Sequence, residues 1–155
     1  MRLSTKGRYA VMAMADLAGH APESSDQSNN QSNAQSKPVA LADIAERQDI
    51  SLSYLEQLFA KLRRGGLVTS VRGPGGGYRL ARPARELAVA EIVTAVDEPL
   101  ETLRCKSKTT GCMPGGARCL THDLWEALGD HIHGFLAGVS LEDVIEGRLK
   151  PSKAA

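Results

Sequence analysis

The sequence is poor in aromatic residues: its 155 positions include two Phe, three Tyr and one Trp. Because 42% of the residues are nonetheless apolar, a core can form, but it must be built mainly from aliphatic side chains. No apolar run approaches the roughly 18–20 residues that a bilayer span requires, so no membrane span is expected. The basic N-terminal segment is followed by no long apolar stretch, which argues against a signal or transit peptide. We therefore expect a cytoplasmic protein.

Cysteine is also scarce, and its placement is informative. The three cysteines are an odd number, which does not suit a disulfide framework, and cytoplasmic thiols stay reduced. Cys105, Cys112 and Cys119 lie close together and His122 follows, a set of soft and borderline ligands that is typical of a metal site. The first two gaps are longer than those of a zinc knuckle. This spacing favours an iron–sulfur cluster, with a zinc site or a metal-free redox-sensing thiol as alternatives.

The charge is unevenly distributed, although the net charge is only +1. Residues 56–85 contain seven Lys or Arg residues and one acid, whereas residues 86–101 contain five acids and no base. Residues 121–147 contain six acids and again no Lys or Arg. One strongly basic segment attached to an acidic body is typical of a protein with a nucleic-acid-binding face.

Residues 39–64 have the pattern of a helix-turn-helix. A short amphipathic segment is broken by DIS at 49–51. Ser53 and Glu56 then fit a capping box at the start of a second helix. That helix has one apolar face and ends at the Gly65–Gly66 pair, where glycine accepts a left-handed conformation. The predicted apolar face consists of Leu55, Leu58, Phe59 and Leu62.

A glycine-rich hairpin is predicted directly after this helix. LVTSV (67–71) and YRLAR (78–82) are two strands, and RGPGGG (72–77) is the loop between them. A nucleotide-binding loop would run from a strand into a helix, so the pattern indicates the wing of a winged helix. Its narrow tip with Arg72 at the base suits the minor groove, where negative potential attracts arginine.

The remaining segments complete a mainly α fold with one small β-hairpin. A first helix is predicted to end near Ala18, and the Ser-, Asn- and Gln-rich segment 22–37 is expected to be a disordered insertion. A long apolar stripe from Leu120 to Val139 predicts a dimerisation helix with Cys119 and His122 on one face at its start. Ser140 and Asp143 form a capping box for a short last helix. The expected domains are a winged helix-turn-helix (1–99), a cluster-binding loop (100–119), the dimerisation and terminal helices (120–147) and a tail (148–155).

The chain resembles the IscR family of iron–sulfur cluster assembly regulators, which are small winged-helix repressors and activators of bacteria. The matching stretches are MRLSTKGRYAVMAM, LADIAERQDISLSYLEQLF, GLVTSVRGPGGGY, VAEIVTAVDE and CLTHDLW, and the resemblance covers roughly residues 1–20 and 38–146. It implies a 2Fe–2S cluster, supplied by the assembly machinery, with Cys105, Cys112, Cys119 and His122 as ligands. Related nitric oxide sensors use an N-terminal carboxylate, where this chain has Arg8.

The same resemblance implies a homodimer that binds a palindromic operator in double-stranded DNA. Ser53, Tyr54, Glu56 and Gln57 would contact the major groove and Arg72 the minor groove, with Glu56 discriminating between two promoter classes. A zinc-stabilised or nitric-oxide-responsive regulator is the alternative, and no pattern of catalytic residues indicates an enzyme. Two features depart from the family: each gap between cysteines is one residue longer, and segment 22–37 is inserted.

Overall fold

The computed structural model describes residues 5–20, 37–96, 113 and 116–149. These residues form six α-helices, one short 3-10 turn and one antiparallel hairpin, which confirms the mainly α fold class. The elements are α1 (Thr5–Gly19), α2 (Leu41–Gln48), α3 (Leu52–Arg64), β1 (Val68–Val71), β2 (Gly77–Leu80), the 3-10 turn (Ala84–Glu86), α4 (Val89–Ala95), α5 (His122–Ala137) and α6 (Leu141–Ile145).

The central helix α1 organises the core. Its inward face carries small and flexible residues at helical spacing, Ala10, Ala13, Met14 and Leu17, all essentially inaccessible to solvent. Small side chains allow close approach of neighbouring helices, and α1 contacts α2, α3, α4 and α6. Among the described residues, the fully buried core is aliphatic apart from Phe59, as the shortage of aromatic residues predicts, and Tyr9, Tyr54 and Tyr78 pack against it while partly exposed.

The helix-turn-helix consists of α2 and α3, joined by the three residues 49–51 as predicted. Asp49 adopts the left-handed conformation (φ 50°) that ends α2, and its backbone N–H donates to Ala45 O. The predicted capping box of Ser53 and Glu56 is wrong. Helix α3 already begins at Leu52, so Ser53 lies inside its first turn, and Ser51 is the N-cap residue. Glu56 therefore has no capping role.

The wing follows α3 after a tight turn at Gly66, whose φ is +72°. Its strands are shorter than predicted: β1 pairs with β2 from Val68 opposite Leu80 to Val71 opposite Gly77. Val39 adds a third, single-residue pairing, because its N–H donates to Tyr78 O at 2.9 Å and its carbonyl accepts from Tyr78 N at 2.8 Å. Strand β2 of the wing is thus hydrogen-bonded to the segment that leads into α2.

Helices α5 and α6 attach to the winged domain at their junction. Val89 N–H donates to Val139 O at 2.9 Å, and Leu141 N–H donates to Leu87 O at 2.8 Å. The predicted capping box of Ser140 and Asp143 is confirmed. Helix α5 is shorter than the predicted stripe, since it begins at His122; Cys119 lies in the turn before it, not on the helix.

Several sequence predictions fall outside the described residues. These are the insertion from 22 to 36, most of the predicted cluster-binding loop with Cys105 and Cys112, and the tail from 150 onward. The domain boundaries drawn from the sequence stay predictions. Within the described ranges, every helix is too short or too polar to cross a membrane.

Candidate nucleic-acid interface and metal centre

Helix α3 divides into a buried face and an exposed polar face. Leu55, Leu58, Phe59 and Leu62 are at most 3% exposed and fix the helix to the core. On the opposite face of the helix, the side chains of Ser53, Glu56 and Gln57 are exposed to solvent. A helix held rigidly by one face and presenting hydrogen-bonding side chains on the other can enter the major groove and contact base edges.

Tyr54 differs from its neighbours because it is half-buried. Its ring packs edge-on against Tyr9 of α1, with centroids 6.0 Å apart and planes at 85°. Ser51 and Ser53 share a hydroxyl hydrogen bond of 2.9 Å beside it. Together with Thr5, Asp49 and Gln57 these residues line an open groove at the start of α3. Tyr9 is a site residue that the sequence did not reveal, because it precedes α3 by more than forty positions and has no motif of its own.

The turn at the tip of the wing is tight and has room only for glycine at position 76. A Cβ added to Gly76 would lie 2.5 Å from Val71 O and 2.8 Å from Gly73 O. The Gly76 N–H donates to Gly73 O at 2.9 Å, which closes the turn. Arg72 is exposed beside it. This shape leaves the arginine on a slender projection, as insertion into a minor groove requires.

The basic segment separates into two groups. Arg82 pairs with Glu91 of α4, and Arg85 lies 3.4 Å from Glu86, so these two arginines balance nearby acids. Exposed cations remain near α3 and the wing: Arg63, Arg64 and Arg72. The surface that can attract phosphate is therefore concentrated around α3, the recognition helix, and the wing, and it is smaller than the number of Lys and Arg residues in the segment indicates.

The described half of the candidate metal centre consists of Cys119 and His122. The His122 backbone N–H donates to Cys119 O at 3.0 Å, which places both residues in one turn at the start of α5. The Cys119 thiol is half-buried and lies 3.7 Å from Thr121 Oγ1, whereas His122 is 1% exposed. The neighbouring Arg118 lies 3.4 Å from the carboxylate of Asp123. A thiol and an imidazole held in one turn suit a borderline or soft metal.

Glu126 is the second site residue that the sequence did not reveal. Its Oε2 lies 4.0 Å from His122 Nε2, one helical turn further along α5, and its side chain is 25% exposed. Ligand atoms of His122, Asp123 and Glu126 all lie within 4.8 Å of one another. The signal available in the sequence was the i, i+4 spacing of His122 and Glu126, which places both on one face of a helix.

These elements define a winged helix-turn-helix protein of the DNA-binding class, with an appended helix that carries metal-ligand residues at its start. A family model described as "Rrf2: Iron-dependent Transcriptional regulator" matches residues 3–147. The chain belongs to the Rrf2 family of transcriptional regulators.

Individual relatives agree with this assignment. The HTH-type transcriptional regulator IscR of Photorhabdus laumondii is 54% identical over 148 residues, covering 96% of this chain and 81% of the relative. The structure of T. potens IscR matches with a TM-score of 0.70 at 36% identity, over 100% of this chain and 93% of that one. CymR, the global cysteine regulator of B. subtilis, matches with a TM-score of 0.73 at 28% identity, over 95% and 98% of the two chains.

The comparisons confirm the resemblance and the class of function predicted from the sequence. The chain is a DNA-binding transcriptional regulator and not an enzyme, since the relatives that cover nearly its whole length are named as regulators. The DNA-contacting and cluster-ligating residues stay predictions.

Proposed function

We propose that the protein is a homodimeric regulator whose promoter choice depends on a 2Fe–2S cluster, and that it represses genes for iron–sulfur cluster assembly. The observation that carries the proposal is the pairing of an exposed polar face on α3 with a thiol and a buried imidazole at the start of α5. One feature suits DNA and the other suits a metal. The comparisons support the same combination, since the Photorhabdus laumondii relative is named an HTH-type transcriptional regulator and the Rrf2 description reads "Iron-dependent Transcriptional regulator".

On the DNA side, Ser53, Glu56 and Gln57 would contact base edges, and Tyr54 would be held in place by Tyr9. A carboxylate such as that of Glu56 repels base acceptors and accepts a hydrogen bond from the cytosine amino group. Its presence on the exposed face therefore gives a reason for discrimination between operators. Arg72 on the wing would enter the adjacent minor groove, where the negative potential is strong.

On the metal side, Cys105, Cys112, Cys119 and His122 would hold the cluster. The described donors fit it: Cys119 offers a half-exposed sulfur and His122 an imidazole shielded from bulk water. Bound there, a 2Fe–2S cluster would supply a reversible chemical signal of cluster supply. Histidine in place of a thiolate raises the potential of such a cluster.

The proposed dimer explains a surplus of apolar surface on α5. Among the described residues of this helix, only His122 is buried. Leu124, Trp125, Leu128 and Phe135 are between 36% and 61% exposed. A second copy of the chain is the occupant that a regulator of palindromic operators requires, because two recognition helices must reach two half-sites.

Coupling between the two functions would run through the junction of α4 with α5 and α6. The ligand-bearing segment connects α4 to α5, and residues 87–89 are hydrogen-bonded to residues 139–141. Ligation would fix the start of α5 relative to α4, which itself contacts α3. The cluster-bound and cluster-free proteins would then differ in the position of α5 relative to α4, and each operator class would bind one of these two conformations more tightly.

The DNA proposal is tested by titrating purified protein against a palindromic operator and a random competitor at several salt concentrations. Specific binding should be about 10³-fold or more tighter than non-specific binding. Arg72→Ala should reduce the magnitude of the slope of log affinity against log salt by about 1. Arg85→Ala is the control and should leave the slope unchanged, because Arg85 already lies beside the acid Glu86. Equal affinity for operator and competitor would refute the proposal.

The cluster proposal is tested by anaerobic purification. A brown protein with a charge-transfer spectrum and equal amounts of iron and sulfide is expected. Cys112→Ala should lose the spectrum and alter binding at one promoter class only. A colourless protein with stoichiometric zinc would refute the proposal, as would a Cys112→Ala variant that binds every promoter like the wild type.

A further inference from the structure

One attachment of the wing lies where the chain leaves β2. Two residues after that strand, the guanidinium group of Arg82 binds two different partners. One terminal nitrogen donates to the backbone carbonyl of Glu86 at 3.2 Å, and the other donates to the carboxylate of Glu91 in the first turn of α4. The planar fork of a guanidinium group suits two partners at once. Arg82 therefore joins the base of the wing to the 3-10 turn and to α4.

We infer that Arg82 is a positioning residue that sets the tilt of the wing, and thereby the place of Arg72 in the minor groove. The inference rests on the proposed DNA contact of Arg72 and goes beyond it, because Arg82 lies outside the proposed DNA-contacting set. The paired strands from Val68 to Val71 make the wing a lever of about 10 Å. A tilt of about 10° at its base would move the tip by about 2 Å, whereas a binding group must be held to within about 0.5 Å.

Helix α4 is a suitable anchor for the wing because the core holds it independently of Arg82. Its residues Ile92 and Val93 are completely buried, and the helix contacts α1, α3 and α5. Since both α3 and Arg82 contact α4, the angle between the recognition helix and the wing is fixed through this helix.

A second ion pair in the same segment provides the comparison. Arg85 and Glu86 lie 3.4 Å apart, but they are adjacent in the sequence, so their contact joins no separate elements. Arg82 uses only the backbone carbonyl of Glu86, so the Glu86 side chain can be changed without removing either hydrogen bond of Arg82. The Arg82 and Glu91 side chains are 41% and 43% exposed, and an exposed pair is weak. Effects of several-fold are therefore expected, and not a complete loss of binding.

The first experiment measures the operator affinity of full-length Glu91→Gln and Glu86→Gln proteins. Each variant loses one exposed acid, and the change in charge alone would leave binding to polyanionic DNA unchanged or tighten it. Positioning by Arg82 predicts the opposite for Glu91→Gln, a loss of about 2- to 5-fold in operator affinity, which is the factor that an exposed ion pair supports. Glu86→Gln should bind the operator at least as tightly as the wild type. Arg82→Lys keeps the charge but loses the fork, and it should show a loss in the same range as Glu91→Gln.

The second experiment tests whether the lost affinity acts through Arg72. In the wild type, Arg72→Ala should reduce the magnitude of the slope of log affinity against log salt by about 1. In the Glu91→Gln background the same substitution should have a smaller effect, because the displaced wing no longer places Arg72 against phosphate. In the Glu86→Gln background it should have its full effect. Circular dichroism and the melting temperature of each variant provide the folding control.

The outcomes separate this inference from the proposed function. If Glu91→Gln binds the operator as tightly as the wild type or more tightly, the inference is overturned, while an operator preference of the wild type leaves the proposed function intact. An equal effect of Arg72→Ala in the wild-type and Glu91→Gln backgrounds would also overturn it. If Arg72→Ala has no effect in the wild type, the proposed minor-groove contact fails together with the inference. Should Glu91→Gln prove unstable, Arg82→Lys decides in its place, because a wild-type affinity of that variant overturns the inference as well.

Discussion

Arg47 of α2 holds the carboxylate of Asp16 in α1 through both of its oxygens. Arg47 Nε donates to Oδ1 and Oδ2 at 3.1 Å each, and a second guanidinium nitrogen donates to Oδ1 at 2.6 Å. Gln48 adds a hydrogen bond of 2.7 Å to Oδ2. The Asp16 side chain is completely buried, whereas that of Arg47 is 32% exposed. The first helix of the helix-turn-helix is thus attached to the core by a directional ionic contact.

The unequal burial of the two partners predicts unequal effects of removing them. Arg47→Met would leave a buried carboxylate supported mainly by Gln48, and we expect a loss of about 3–5 kcal/mol in the free energy of unfolding. Asp16→Asn keeps a hydrogen-bonding side chain and lets Arg47 turn toward water, so a loss of about 1–3 kcal/mol is expected. Urea unfolding measures both, and a larger loss for Asp16→Asn would contradict this account.

The same contact predicts a pH dependence of stability. Burial by itself would raise the pKa of Asp16, but hydrogen bonds and charge from Arg47, with a further hydrogen bond from Gln48, outweigh it and lower the pKa below 3.8. A carboxyl group with a lowered pKa stabilises the fold fully above its unfolded pKa, and this contribution is lost as the pH falls through the folded value. Urea unfolding at pH 3–6 should show the difference between wild type and Asp16→Asn shrinking below pH 3.8. A difference that stays constant would contradict it.

Local patterns made much of this fold predictable. The apolar spacing of α3 and the glycine-rich wing act within a few residues, and both were found where the sequence placed them. The Asp16–Arg47 contact joins residues 31 positions apart. A local sequence pattern does not predict which residues so far apart in the chain will form an ion pair. The packing of Tyr9 on Tyr54 was not predicted for the same reason. The predicted start of α3 lies two residues too late, because Ser51 and Ser53 are both good N-cap residues and the backbone uses Ser51.

The corrected start of α3 gives Glu56 a clean test. Since Glu56 is exposed and caps nothing, Glu56→Ala should change the free energy of unfolding by less than about 0.5 kcal/mol. If it contacts base edges, the same variant should change the ratio of affinities for two promoter classes by about 10-fold. Glu86→Ala is the control, because Glu86 is also an exposed acid but has no proposed DNA contact, and it should leave the ratio of affinities unchanged. Operator titrations and urea unfolding give both quantities, and an unstable Glu56→Ala variant would restore a capping role.

The attachment of the wing predicts a contrast between two of its glycines. A Cβ on Gly77 would lie 2.2 Å from Val39 O, the atom that accepts the Tyr78 N–H. Gly77→Ala should therefore break the Val39–Tyr78 pairing, at a cost of about 2 kcal/mol or more. Gly75 has a φ of +73° but open space around its Cβ position, so Gly75→Ala should cost only about 1–2 kcal/mol of backbone strain. Thermal unfolding distinguishes them, and equal losses would contradict the steric argument.

The exposed apolar stripe of α5 predicts which surface a dimer would use. Leu124 is 61% exposed and Leu128 36%, so Leu124→Glu should leave the monomer fold intact while placing a charge in the proposed interface. We expect sedimentation velocity to show a monomer, because burial of an unpaired carboxylate is strongly unfavourable.

Operator affinity should fall about 100-fold or more in the same variant, since the two recognition helices would no longer bind as one unit. His133→Glu is the matched control, because His133 is also exposed but lies on the opposite side of the helix from Leu124. It should remain dimeric with unchanged operator affinity. If Leu124→Glu is still dimeric, the two copies meet elsewhere, and the apolar stripe of α5 requires a different occupant.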